Sequence, residues 1–154
     1  MKTAAEIMSA DVPSVTPDDE ARTAIDLLAK SDMGAIPVLD EDRKVVGIVS
    51  ESDLILSDEQ SDLHLPHYLN IMGGIVFIGS MKGFEKRLDK AFATKVSELM
   101  TADPVVSHDY EAADRVAKKI ADKHHNHLPV VDAEGRLAGM VTRADALAAL
   151  VDVE

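Results

Sequence analysis

The feature that most restricts the fold of this chain is an internal repeat. The stretch IPVLDEDRKVVGIVSESD (36–53) aligns without gaps on LPVVDAEGRLAGMVTRAD (128–145), and six of the 18 aligned pairs are identical. Upstream, AAEIMSADVPSVTPDDEA matches VSELMTADPVVSHDYEA with a shift of one residue. Each copy is too short to bury both faces of a sheet by itself. The repeat therefore predicts two similar units that share a core.

Each copy is predicted to contain a short leading helix, an extended segment, a middle helix, two strands and a last helix. We interpret Thr16 and Ser107 as N-caps of the middle helices, because a hydroxyl precedes acidic residues at both positions. The last helices are predicted to begin near Asp53 and Asp145. The predicted fold class is therefore α+β: two pseudo-twofold-related repeats of βαββα type, packed sheet to sheet, with a partly helical middle segment.

The domain organisation follows from the repeat. Residues 1–56 form the first repeat, 57–95 an inserted connecting segment, and 96–154 the second repeat. The inserted segment combines an apolar stretch, LHLPHYLNIMGGIVFIGS, with MKGFEKRLDKAFATK, which has the pattern of a basic amphipathic helix. Two interpretations stay open: the segment covers the sheet or a cleft, or it forms an interface with an acidic partner or a second subunit.

The composition disfavours several classes of function. The 154 residues include no cysteine, which excludes disulfides and thiolate metal sites and favours a reducing compartment. The net charge of −12 opposes binding to nucleic acid, and the chain has neither a signal-peptide pattern nor an apolar run of membrane-spanning length. It contains no GxSxG, P-loop or GxGxxG motif, so catalysis is not expected. We therefore expect a cytoplasmic protein that binds neither nucleic acid nor membrane.

The duplicated elements resemble a tandem pair of CBS domains, a Bateman module, of the stand-alone bacterial type. The resemblance rests on IPVLD…GIVSESD and LPVVD…GMVTRAD and covers about 1–56 and 96–150. It implies a non-catalytic regulatory module that binds AMP, ADP, ATP or another adenosyl compound, such as S-adenosylmethionine, between the copies. It also implies a homodimer whose ligand state would be read by an effector protein in another chain.

The resemblance implies two ligand clefts. In the first, Thr142 and Asp145 would contact the ribose, because a carboxylate can accept both ribose hydroxyls. Adenine would lie against the first copy, and the phosphates would face polar residues of the second. The residues of this first cleft are Val15, Thr16, Ala35, Ile36, Pro37, Asn126, His127, Thr142, Arg143 and Asp145.

The second cleft is expected to bind more weakly. Its phosphate side would face Glu51, which repels phosphate, and small residues without a side-chain donor. We expect this cleft to be empty or to take a ligand with little negative charge. Ser50 and Asp53 would contact the ribose, and adenine would lie near His127 and three further residues. The residues specific to this cleft are Ser50, Asp53, Val106, Ser107 and Leu128.

Other interpretations of these residues stay open. Asp53 and Asp145 could be helix-start acids that the helix dipole stabilises without any ligand. The histidines at 124, 125 and 127 could bind a metal, but their predicted positions at a helix end and a strand start do not make them converge. We therefore predict no metal site, and we predict that His127 contacts phosphate or base. The alternative functions are a ligand-independent dimerisation or scaffold module and, less favoured, a metal-binding protein.

Overall fold

The computed structural model describes residues 1–31, 33–54, 68–71, 74–77, 92–123 and 126–151. The first copy and the middle segment contain α1 (Ala4–Ile7), α2 (Ala21–Ala29), β1 (Ala35–Leu39), β2 (Val45–Ser50), a 3-10 helix (Glu51–Leu54), β3 (Tyr68–Ile71) and β4 (Gly74–Phe77). The second copy contains α3 (Val96–Leu99), β5 (Thr101–Ala102), β6 (Ser107–His108), α4 (Ala113–Lys123), β7 (His127–Val131), β8 (Leu137–Thr142) and α5 (Arg143–Val151). This order confirms the predicted α+β class with two repeats.

The two copies build equivalent hairpins. Strands β1 and β2 pair antiparallel with Ala35 opposite Ser50, and β7 and β8 pair with His127 opposite Thr142. Each hairpin belongs to a three-stranded sheet, in the orders β1-β2-β5 and β6-β7-β8. The hairpin tips join the two sheets, because the Leu137 amide donates to the Arg43 carbonyl at 3.0 Å. The opposite ends of the hairpins, where β1 and β7 begin, also lie together, because the His127 ring lies beside Gly34.

The leading segments, residues 3–9 and 95–102, are exchanged between the copies. Ala4 is fully buried among the core residues of the second copy, with Ile7 and Met8 packed against the same cluster. Conversely, Val96 is fully buried in the core of the first copy. Strand β5 completes the exchange by pairing with β2. Each core therefore requires a helix from the other repeat, which ties the two units into one folded body.

The predicted N-caps were wrong. Helix α2 begins at Ala21 with Glu20 as its N-cap, and Ser107 lies in β6, six residues before α4. The reason is that the turn after Thr16 serves the other copy. The carbonyls of Pro17 and Asp19 accept the amides of Ser97 and Val96 at 3.0 and 2.8 Å, so they cap α3. The carbonyls of Asp109 and Glu111 cap α1 in the same way.

The middle segment is described only in part. Strands β3 and β4 form an antiparallel hairpin within the apolar stretch, and β4 lies beside α2. Most of the predicted basic helix, and the two histidines at 124 and 125, lie outside the described residues. Within the described ranges, none of the helices has both the length and the apolar character needed to cross a bilayer.

Candidate functional site

The candidate site lies where β1 and β7 begin, at the junction of the two copies. In each copy, the strand pairing places the hydroxyl that ends the second strand opposite the first residue of the first strand. The residue after each second strand extends this pairing by one hydrogen bond. The Glu51 amide donates to the Gly34 carbonyl at 3.1 Å, and the Arg143 amide donates to the Asn126 carbonyl at 2.9 Å. These matched bonds show that the copies present equivalent backbone frames with different side chains.

Asp53 and Asp145 both close the start of a helix. Thr142 and Asp145 form a reciprocal pair, in which Thr142 Oγ1 accepts the Asp145 amide at 3.1 Å and Asp145 Oδ2 accepts the Thr142 amide at 3.0 Å. Asp53 Oδ2 accepts both the amide and the hydroxyl of Ser50, at 2.9 and 3.1 Å. The helix-start interpretation is thus a structural fact for both residues. It does not compete with ligand binding, because Oδ1 takes no part in these bonds.

A cavity of about 370 Å³ opens between the copies at this junction. It collects residues that the sequence assigned to both predicted clefts: Ala35, Asn126 and His127 from the first, and Ser50 and Asp53 from the second. Thr142, Arg143 and Asp145 do not line it, and they lie at the equivalent position in the other copy. The full lining is Gly34, Ala35, Ile48, Ser50, Glu51, Ser52, Asp53, Thr101, Asn126 and His127.

His127 reaches across the junction. Its ring lies over Gly34, with Nε2 3.5 Å from the position that a Cβ atom would occupy there. Gly34 has a φ of +79°, a conformation that favours glycine, so the backbone selects against a side chain, whereas the ring would be in ordinary van der Waals contact with a Cβ. The imidazole also interacts with the Met33 backbone and with Glu51. His127 is therefore a direct contact between the second copy and the first.

The electrostatics of His127 follow from its burial. Burial lowers the pKa of His127 below its ordinary value of 6.5, although the Met33 backbone and the charge of Glu51 partly oppose this shift. At neutral pH the ring is therefore mainly uncharged. It can donate or accept a hydrogen bond but does not supply a fixed positive charge to the cavity.

The remaining predicted residues are mostly core residues. Val15, Ile36, Leu128 and Ser107 are buried, so their side chains support the cleft rather than face an open space. The Val15 amide donates to the Pro37 carbonyl at 3.2 Å, which fixes the segment beside β1. The carbonyl of the half-buried Val106 accepts Lys119 Nζ at 3.0 Å. Thr16 and Arg143 are exposed, and Pro37 is fully buried.

The sequence did not identify Ile48, Ser52 and Thr101 as cavity residues. Thr101 reaches the cavity because β5 pairs with β2 of the other copy. The repeat pattern contains no signal for that exchange, since the same pattern would result if each leading segment stayed with its own copy. Ser52 could have been found, because it lies between Glu51 and Asp53 in the same 3-10 helix.

A second and larger cavity lies on the outer face of α4. Its volume is about 600 Å³, and it is lined by Tyr110, Glu111, Arg115, Lys118, Lys119 and Asp122. Lys119 is committed to Glu111 through an ion pair of 2.7 Å. The lining comes from one helix and its preceding turn, so it does not depend on how the copies meet. Within the described ranges, the structure contains no group of three or more His, Asp or Glu residues that could hold a metal ion.

Comparison with known proteins gives consistent matches. A family model described as CBS domain matches residues 4–58 and 96–152. The chain is 34% identical over 139 residues to the uncharacterized protein MJ1426 of Methanocaldococcus jannaschii, covering 87% of this chain and 83% of that protein. It is 30% identical to the CBS domain-containing protein CBSX2 of Arabidopsis thaliana, covering 92% of this chain but 58% of the plant protein. The crystal structure of CBSX2 in complex with AMP superimposes with a TM-score of 0.73 at 26% identity, over 100% of this chain and 99% of that chain.

Proposed function

This chain belongs to the CBS domain family, and on that premise we propose that it is a regulatory module that binds an adenine nucleotide or another adenosyl compound between its two copies. The observation that carries the proposal is the cavity at the junction, which combines Ser50 and Asp53 of one copy with Asn126 and His127 of the other. The AMP complex of CBSX2, a protein of similar fold and 26% identity, supports adenine nucleotides as the ligand class.

The chemistry of the junction suits a nucleoside. A ribose offers two neighbouring hydroxyls, and each aspartate has an oxygen outside its helix cap that can accept a hydrogen bond. Ala35 and Ile48 give this mostly polar cavity an apolar patch, which suits one face of a base. In the cleft of Thr142 and Asp145, Arg143 is suited to phosphate. AMP, ADP and ATP are therefore the ligands proposed for that cleft.

The proposed mechanism is a shift in population rather than catalysis. A ligand held by both copies stabilises the arrangement in which the two halves of its site are correctly spaced. The exchanged leading segments pass this preference to both cores, because each core contains a helix from the other copy. An effector protein would then read the relative position of the copies, without a reaction in this chain.

Assembly is part of the proposal. Helix α5 exposes Leu147 and Val151, with 56% and 83% of their surfaces accessible, and these residues lie one helical turn apart. An exposed apolar stripe of this kind fits a second copy of the chain, so we propose a homodimer through α5. The same stripe is what supports the alternative function, a dimerisation module that acts without ligand.

Calorimetric titration of the purified chain with AMP, ATP and S-adenosylmethionine tests the proposal. We expect at least one of them to bind more tightly than about 1 mM, where the binding free energy is only about −4 kcal/mol. Asp145→Asn keeps an oxygen that can cap the Thr142 amide, and it should weaken nucleotide binding without loss of folding. Glu134→Ala, on an exposed turn, is the matched control and should bind like the native chain. If no ligand binds in this range, the chain is not an adenosyl sensor for these compounds.

A further inference from the structure

The two copies place opposite charges at one equivalent position. Glu51 and Arg143 are the first residues after β2 and β8, and each donates its amide to the carbonyl that precedes β1 or β7. The backbone bonds are 3.1 and 2.9 Å long, so the frames match closely. Whatever ligand binds beside these residues therefore meets a carboxylate in one cleft and a guanidinium in the other.

The cavity at the junction is rich in acceptors and poor in positive charge. Among the residues that the structure describes, the charged residues of its lining are Glu51 and Asp53, and neither lysine nor arginine contributes to it. The other groups that face it, from β1, β2, β5 and β7, are uncharged side chains or backbone, apart from His127. The lowered pKa of His127 leaves the ring mainly neutral at pH 7. The described lining therefore carries a net negative charge under ordinary conditions.

Glu51 lies inside this cavity, where the two copies meet. Its carboxyl carbon is 3.9 Å, and the His127 ring is 3.4 Å, from the position that a Cβ on Gly34 would occupy. The two side chains thus converge over Gly34, beside the hydroxyl and carboxylate of Ser50 and Asp53. Glu51 is exposed, but it lines the same cavity as Asp53, two residues away in the 3-10 helix. The phosphate of a nucleotide whose ribose reached Asp53 would therefore meet a like charge, which opposes binding.

We propose that Glu51 makes this cavity selective for an adenosyl compound whose 5′ substituent carries no negative charge. The inference rests on the proposed binding of adenosyl compounds and adds a specificity for one of the two clefts. The ligand class is a nucleoside with a neutral or cationic 5′ group, such as a thioether or a sulfonium. Phosphate-bearing nucleotides are directed to the cleft of Arg143.

Site-resolved titration can test this selectivity. The amide resonances of Ser50 and Asp53 in ¹H–¹⁵N spectra report on the cavity, and those of Thr142 and Asp145 report on the other cleft. The probes are AMP and 5′-deoxy-5′-methylthioadenosine, which share the nucleoside and differ in the charge of the 5′ group. In the native chain we expect the cavity to bind the thioether more tightly than AMP.

The decisive variant is Glu51→Arg, which copies the residue of the other repeat. It should tighten AMP binding at the cavity by about tenfold or more, because a repulsion becomes an attraction, and should change thioether binding little. Glu41→Arg makes the same charge change on the exposed hairpin turn and should leave the ratio of the two affinities unchanged.

Two results would overturn the inference while leaving the proposed function intact. One is a native cavity that prefers AMP to the thioether. The other is an equal effect of Glu51→Arg and Glu41→Arg on AMP, which would indicate net charge rather than a local contact. Failure of AMP, ATP, S-adenosylmethionine and the thioether to perturb any of the four resonances in any variant would overturn the proposed function and this inference together.

Discussion

At the scale of single residues, the aspartates of the repeat have two roles that experiment can separate. Asp145 caps α5 together with Thr142, and Asp53 binds Ser50 at the start of the 3-10 helix. A carboxylate that is held in place by a cap keeps its second oxygen in a fixed direction. The cap therefore holds the proposed ribose acceptor in place before the ligand binds, so binding costs little additional side-chain entropy.

The cap predicts a measurable loss of stability. Thr142→Ala removes the hydroxyl that accepts the Asp145 amide, and we expect it to lower the free energy of unfolding by about 1 kcal/mol. Thr142→Ser keeps the hydroxyl and should lie close to the native value. Urea denaturation of both variants measures the difference. Equal stabilities for Ala and Ser at this position would show that the cap contributes nothing.

His127 predicts a dependence of stability on pH. Because burial lowers its pKa in the folded chain, the unfolded chain takes up the proton at higher pH, and stability falls as the pH drops below about 6.5. The loss is complete once the pH is below the folded pKa. His127→Ala, which copies Ala35 of the first repeat, should reduce the fall in unfolding free energy between pH 7 and pH 5.5. An identical fall in both proteins would contradict this assignment.

Much at the residue scale could be predicted from the sequence. The aligned repeat predicts the aspartates at 53 and 145, the hydroxyls before them and His127 as candidate site residues, and the structure brings Ser50, Asp53 and His127 to one cavity. What could not be predicted is that His127 lies over Gly34 of the other copy and is mainly neutral. That depends on how deeply a side chain is buried at a contact between distant segments, and local sequence does not contain this information.

At the scale of elements, the exchange of the leading segments is the feature that sequence analysis missed. Two glycines, Gly47 in β2 and Gly139 in β8, show how closely each leading segment packs against the strand of the other copy. A Cβ on Gly139 would lie 2.5 Å from the Ser9 carbonyl oxygen and 2.7 Å from Met8 Sδ. A Cβ on Gly47 would clash with Met100 Sδ, but the Thr101 carbonyl oxygen would be 3.2 Å away. Both strands therefore receive the other copy's segment without room for a side chain.

These contacts predict an order of stabilities. Gly139→Ala should destabilise the chain by about 1–3 kcal/mol, because a backbone carbonyl cannot move without breaking the pairing of Ser9 with Met140. Gly47→Ala should cost less, because the end of the flexible Met100 side chain can rotate away. Thermal and urea denaturation of the two variants give the comparison. A Gly47→Ala variant that is less stable than Gly139→Ala would contradict the proposed difference.

The N-caps illustrate why such elements escape prediction. A hydroxyl followed by proline and acids is a common helix start, and Thr16-Pro17-Asp18-Asp19 has that pattern. The structure uses the same residues as a turn, in which Asp19 Oδ2 accepts the Thr16 amide at 2.8 Å. The turn is favoured because its carbonyls accept hydrogen bonds from the first amides of α3, the leading helix of the second copy. A tertiary partner thus decides between two locally acceptable structures.

At the scale of the whole molecule, duplication explains both what was predicted and what differs. The α+β class and the two repeats follow from the aligned sequence, because both hairpins use the same register. Two differences between the copies, Glu51 against Arg143 and Ala35 against His127, fall at the junction. The duplicated frame is therefore suited to two clefts of different charge.

The proposed homodimer is a property of this scale. Leu147→Asp should raise the dissociation constant of the dimer by at least about tenfold, because an unpaired charge in a buried interface costs several kcal/mol. Leu147→Met keeps an apolar side chain of similar volume and should dimerise normally. Sedimentation equilibrium measures both variants. If the native chain is monomeric, or if Leu147→Asp dimerises as well as Leu147→Met, α5 is not the interface.

The central claim is that an adenosyl ligand binds between the two copies. A crystal structure of the chain grown with AMP tests it most directly. We predict that AMP lies at the junction, with its ribose on Asp145 and atoms of both copies within hydrogen-bond distance. AMP found instead on the outer face of α4, in the cavity of Tyr110 and Arg115, would contradict the claim, because that cavity is formed by one copy alone.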